Sequence, residues 1–162
     1  MEEYNNLVNR VLSCRRCSFS IPHSWPANGN LNSRIMIVDE SVNAMAKDKD
    51  IVEMMLKEID LSKDDVYITP LIKCGLDRLT NAMKQELLKH CIDFLIKEIE
   101  IVHPKVIIAL GATADDAVRF IRNKVRSDFA YIHLPHPKMV IYGSIRLGTY
   151  MDNVKKKLKD LP

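Results

Sequence analysis

Four cysteines are the first residues in this chain whose types and spacing could do chemistry. Cys14 and Cys17 form a C-x2-C pair, Cys74 follows after a long gap, and Cys91 completes a C-x16-C spacing. A four-cysteine zinc ribbon needs a second close-set pair, which this spacing lacks. A thioredoxin-type motif would leave two cysteines without a role. Thiolates drawn from distant parts of a small fold are what an iron–sulfur cluster requires. The competing reading is that some are small buried hydrophobes, and Cys91 on the apolar run C-I-D-F-L-I fits that best. Two other groups carry chemistry. Asp39 and Glu40 follow an apolar run, where a carboxylate can serve as a general base. As neighbours on a strand they point to opposite faces and cannot act as a pair. His136 stands between Pro135 and Pro137, either as a functional group or as a turn residue held by its loop.

These residues must be positioned by strands and helices that the pattern predicts in alternation. Residues 4–13 have apolar positions at helical spacing, and 18–33 are rich in Pro, Asn, Ser and Gly and read as a loop. Strands are predicted at 34–38, at 65–69 with Pro70 as a stop, at 106–110 and at 131–134. Helices are predicted at 49–59, at 80–102 with Thr80 or Asn81 as N-cap, at 113–122 and at 149–160. The expected fold is a three-layer α/β/α domain over residues 1–162, with a four-stranded, mainly parallel sheet. Functional groups in such sheets collect beyond the C-terminal strand ends. Here those ends are Asp39-Glu40, Thr69-Pro70, Leu110-Gly111 and Pro135-His136-Pro137.

With 162 residues, the chain is long enough for a core without disulfide staples. No apolar run approaches the ~20 residues of a membrane span. The acidic start, Met1-Glu2-Glu3-Tyr4, does not read as a signal peptide, so a reducing, cytoplasmic setting is expected. A net charge of +3 permits nucleic-acid binding without arguing for it. The lysines at 155–157 and 159 read as one solvated helix face.

The order of these pieces resembles the uracil-DNA glycosylase superfamily, and most closely its iron–sulfur family 4. The resemblance rests on C-x2-C near the start, P-A-N-G-N-L-N-S-R-I-M-I-V running into the first strand, and V-Y-I-T-P-L-I-K-C ending in the third cysteine. It continues through Arg78, Glu86, Cys91, the segment H-P-K-V-I-I-A-L-G-A-T-A, and His136-Pro137, covering roughly residues 8–155. It implies a four-iron–four-sulfur cluster on Cys14, Cys17, Cys74 and Cys91. It also implies DNA as partner, with N-glycosidic hydrolysis of a base flipped out of the duplex. His136 would stabilise negative charge developing on the uracil O2. Asp39 or Glu40 would position water, and Met139 and Val140 would wedge into the gap left by the base. Lys73, Arg78 and Lys138 would hold phosphates.

The chain also departs from that family. The family's Gly-Glu-Gly/Ala-Pro-Gly turn is replaced by Asp39-Glu40-Ser41-Val42-Asn43, which keeps only the glutamate. The aromatic that stacks on uracil has no counterpart, and the uracil-reading Asn is replaced by Pro70, which has no side-chain donor or acceptor. The favoured expectation is a DNA-binding iron–sulfur protein of this fold with weak or absent uracil excision. Its partner would be DNA, or a protein of replication or repair. The alternative is an active, divergent glycosylase for uracil or another modified base.

Overall fold

The computed structural model describes residues 1–17, 27–74 and 80–161. Its elements run α1 (Glu2–Leu12), β1 (Asn28–Gly29), β2 (Ile35–Ser41), α2 (Val42–Glu58), β3 (Tyr67–Ile72) and α3 (Asn81–Val102). Then follow β4 (Val106–Leu110), α4 (Ala112–Ile121), β5 (Ala130–Leu134), α5 (Lys138–Ile141) and α6 (Leu147–Leu158). The strands form one sheet in the order β1-β3-β2-β4-β5. All neighbours are parallel except β1, which pairs antiparallel to β3 through Asn28↔Ile68 and Gly29↔Tyr67. The four expected strands are present, and β1 adds a fifth inside the segment expected to be loop.

Side-chain alternation along β2 divides the interior in two. Met36 and Val38 join Leu95, Ile99 and Val118 of α3 and α4 on one face. Ile35 and Ile37 join Val52, Met55, Met151 and Val154 of α2 and α6 on the other. Both sheet faces are thus covered by helices, as a parallel sheet requires. By the same alternation Asp39 falls on the α2 side, while Glu40 turns to α3, where it pairs with Lys84.

Two expectations about element boundaries are corrected. Pro70 does not stop its strand: β3 continues to Ile72, and Pro70 sits in register with Asp39 of β2. Among the described residues nothing pairs with the β1 side of β3 beyond Ile68, so a residue lacking an N–H is accommodated there. The helix expected from 49 starts at Val42, directly after β2. Ser41 closes the strand and caps the helix, its hydroxyl accepting the Ala44 N–H at 3.1 Å. Thr80 caps α3 in the same way, accepting the Met83 N–H at 3.2 Å.

Candidate functional site

The direct passage from β2 into α2 places a third group beside the two expected at the strand ends. Asp48, on the second turn of α2, faces Asp39 and His136. The His136 Nε2 lies 3.2 Å from Asp39 Oδ1 and 3.5 Å from Asp48 Oδ2. Both carboxylates are 1% exposed and the imidazole 9%. His136 is held on three sides. The Lys138 N–H donates to its Nδ1 at 3.0 Å, and the Tyr150 hydroxyl donates to the carbonyl of Pro135 at 2.8 Å. Gly111, at φ +89°, lies so close that a Cβ there would come within 2.9 Å of the His136 ring. A side chain at position 111 would displace the imidazole as well as strain the turn.

Two buried carboxyl groups this close cannot both ionise cheaply. Burial, then the hydrogen-bonding and charge of Asp39 and the charge of Glu40, push the Asp48 carboxyl up to about 9, against a weaker opposing pull from Lys138. Asp48 therefore keeps its proton near neutral pH. In the unfolded chain Asp48 releases its proton near 3.8, so between that pH and about 9 the folded state binds more protons. Stability from this group is fully present below the unfolded value and is lost as pH rises through the folded one. Asp48→Asn, which mimics the protonated acid, should match the wild type at pH near 4. At pH near 8, with chelator present, it should be more stable by at least ~1 kcal/mol, roughly 2–4 °C in Tm for a chain of this size. Parallel melting curves across that range would refute the retained Asp48 proton.

Asp48 and His136 line an open cleft of about 340 Å³, together with Glu40, Asn43, Lys47 and Tyr142 among others. Asp39 lines a separate, smaller and more apolar cavity of about 240 Å³. Lys138 is exposed at the cleft rim. Of the expected wedge residues, Met139 is half-buried and Val140 packs against the α2/α6 core. The apolar side chains that stand out beside them are Ile141, 47% exposed, and Tyr142, 72% exposed. Val140 is therefore corrected from a protruding wedge to a residue that anchors the loop.

Lys73 requires a larger correction. It is 1% exposed and ion-paired with Glu98 of α3, which is fully buried. Its Nζ also donates to Thr69 Oγ1 at 2.7 Å and to the carbonyl of Pro70. Glu98 in turn accepts from the Thr69 hydroxyl, and from the Tyr67 hydroxyl at 2.8 Å. Lys73 is thus a core residue whose ammonium cannot reach a DNA phosphate. Arg78, the other expected basic contact before α3, lies outside the described residues.

Cys14 and Cys17 follow α1, Cys74 lies just past β3, and Cys91 is in the middle of α3. None is in a disulfide. Cys17 packs against Cys74, Ile72 and Leu87, and Cys14 packs beside Leu7, Val11 and Phe94. The Cys74 thiol donates to the Cys91 sulfur, which pushes Cys91 down to about 7, helped by the backbone N–H and charge of Lys73. That bond, burial and the charges of Cys91, Cys17 and Cys14 push Cys74 up. Burial and the charges of Cys91 and Cys14 raise Cys17 as well. The sulfurs of Cys17, Cys74 and Cys91 therefore lie close enough to perturb one another, and thiolates formed there together would repel unless bound cations relieved them. Arg16 braces the C-x2-C turn: its guanidinium lies 4.2 Å from the Phe94 ring centroid and 3.1 Å from Asp93.

Asp48 is the candidate site residue that the sequence does not single out. Its signal was helical: with Val52, Met55 and Leu56 it makes the spacing i, i+4, i+7, i+8 of the buried stripe of α2. A charged residue on an apolar stripe marks a buried carboxylate that needs a partner.

Comparison with known proteins agrees with this architecture. The family model of the uracil DNA glycosylase superfamily matches residues 26–159. A type-4 uracil-DNA glycosylase of Archaeoglobus fulgidus is 30% identical, over 82% of this chain and 70% of that protein. A type-4 uracil-DNA glycosylase of Thermotoga maritima is 32% identical, over 70% of this chain and 65% of its own. A type-5 uracil-DNA glycosylase of Pyrobaculum aerophilum is 26% identical, over 79% and 74%. The solution structure of a candidate uracil DNA glycosylase from Methanosarcina acetivorans superposes with a TM-score of 0.52 at 12% identity, covering 85% of this chain and 98% of that one, and shows the same fold. With matches running over most of its length, this chain belongs to the uracil DNA glycosylase superfamily.

Proposed function

We propose that this protein binds DNA in the cytoplasm as part of DNA repair, holds a four-iron–four-sulfur cluster on Cys14, Cys17, Cys74 and Cys91, and excises uracil weakly or not at all. The observation that carries the catalytic part is the placement of Asp39 and Asp48 at 3.2 and 3.5 Å from His136 Nε2. A uracil leaving group departs as an anion, and the resemblance assigns His136 to meet its charge. Two buried carboxyl groups occupy the face of that nitrogen, so it does not stand open to an incoming anion. Pro70 withholds the amide that would read the base. DNA binding draws support from the exposed Lys47 and Lys138 around the cleft and from Tyr142, a ring available for base stacking.

The alternative, an active glycosylase for another base, is favoured by one observation. Protonated Asp48 presents both a donor and an acceptor to the cleft, the pair that Pro70 lacks. One panel separates the two readings: single-turnover assays on oligonucleotides carrying uracil, hypoxanthine, xanthine or 5-hydroxymethyluracil, beside anisotropy titrations at several salt concentrations. The expected result is salt-sensitive binding with base release near background. Robust uracil release that depends on His136 would overturn the proposal, and release of another base would establish the alternative.

A further inference from the structure

We propose that Asp39, Asp48 and His136 form a binding site for a single divalent transition-metal ion such as Zn²⁺, Mn²⁺ or Fe²⁺. One ligand atom from each of the three residues lies within 4.8 Å of the other two. An ion bound at about 2.0–2.2 Å holds neighbouring ligands about 3–3.5 Å apart. The separations from His136 Nε2, 3.2 Å to Asp39 and 3.5 Å to Asp48, already match that span. The donor set of one imidazole and two carboxylates suits borderline and harder divalent ions.

A second observation points to a ligand rather than to a self-contained polar cluster. Although the three groups nearly touch, His136 Nε2, Asp39 Oδ2 and both Asp48 oxygens are buried without a well-formed hydrogen bond. Native interiors rarely leave four such atoms around one point unsatisfied. The surrounding contacts fix the ligands in place. The Glu40 N–H donates to Asp39 Oδ1 at 2.7 Å, the Lys138 N–H holds the imidazole, and Ser41 caps the helix that carries Asp48. The Lys138 N–H occupies Nδ1 and leaves Nε2 as the ring nitrogen facing the two carboxyl groups, the atom an ion would bind. Asp48 and His136 also line the open cleft, so the ion's remaining positions are accessible from it. The site is separate from the cysteines and does not depend on whether uracil is excised.

Mn²⁺ is the probe of choice, since thiolates bind it poorly. Cluster-loaded full-length protein would be freed of loose metal, then titrated with Mn²⁺ while the free-ion paramagnetic resonance signal is followed. The expected result is one Mn²⁺ per chain, with affinity weakened at least ~10-fold in Asp48→Asn and in His136→Gln, since loss of an outer contact alone can cost that much. Asp48→Asn replaces a protonated acid by its near-isostere, and circular dichroism would confirm its fold. His136→Gln provides an independent second variant. No uptake by the wild type at millimolar Mn²⁺, or uptake undiminished in both variants, would overturn the proposal.

Discussion

Replacing Lys73 by methionine should cost the fold about 3–5 kcal/mol, because it leaves the buried Glu98 carboxylate without its cation. Against a typical total of about 5–15 kcal/mol, that is a large share. The physical reason is an asymmetry. Burial drives the Lys73 ammonium pKa down while the Glu98 charge holds it up, so each ion is tolerable only with the other present. Glu98→Gln should be damaging for the converse reason, and also because it weakens what Tyr67 and Thr69 donate to. A double replacement, Lys73→Met with Glu98→Gln, should recover part of the loss, since no unpaired charge then remains. Urea denaturation of the three variants checks this. A Lys73→Met midpoint equal to that of the wild type would place the lysine outside the core, contrary to its geometry.

The cysteine set carries the second large effect. Anaerobically purified wild type should be brown, and Cys74→Ser or Cys91→Ser should lose iron and soluble yield together. These two sulfurs sit between β3 and α3, directly beside Lys73, so losing a cluster there opens the same interface that the Lys73–Glu98 pair closes. Iron content, visible absorption and soluble fraction are the readouts. A colourless wild type holding stoichiometric zinc would sink the cluster assignment. A serine variant that is cluster-free yet as stable as the wild type would reduce the cluster to an accessory.

Much of this was legible in the sequence because the deciding physics was local. The apolar β-type runs at 35–38 and 106–110 had to become buried strands, and Thr80 ahead of a long amphipathic stretch had to start a helix. The cysteine spacing and His136-Pro137 pointed to the scaffold to which the family match belongs. What was missed depended on tertiary context. Pro70 stays in its strand on a side of β3 where, among the described residues, pairing reaches only to Ile68, which no local rule reports. Lys73 reads as a surface cation until Glu98, 25 residues away, arrives to neutralise it. Asp48 stands in the charged triplet Asp48-Lys49-Asp50, and only the early start of α2 brings it onto the buried stripe beside His136.

Helix α3 contains a further constraint. Lys84, Cys91 and Glu98 are spaced seven residues apart along it, and they serve the cleft rim, the cysteine set and the core ion pair in turn. Two helical turns span about 7.2 residues, so such steps return to almost the same side with only ~20° of drift. Inserting or deleting one residue between Lys84 and Glu98 would rotate one end against the other by about 100°. Loops elsewhere can lengthen cheaply, but this helix works as a ruler. A single-residue indel within it would put the cleft, the cysteines and the buried pair out of phase at once.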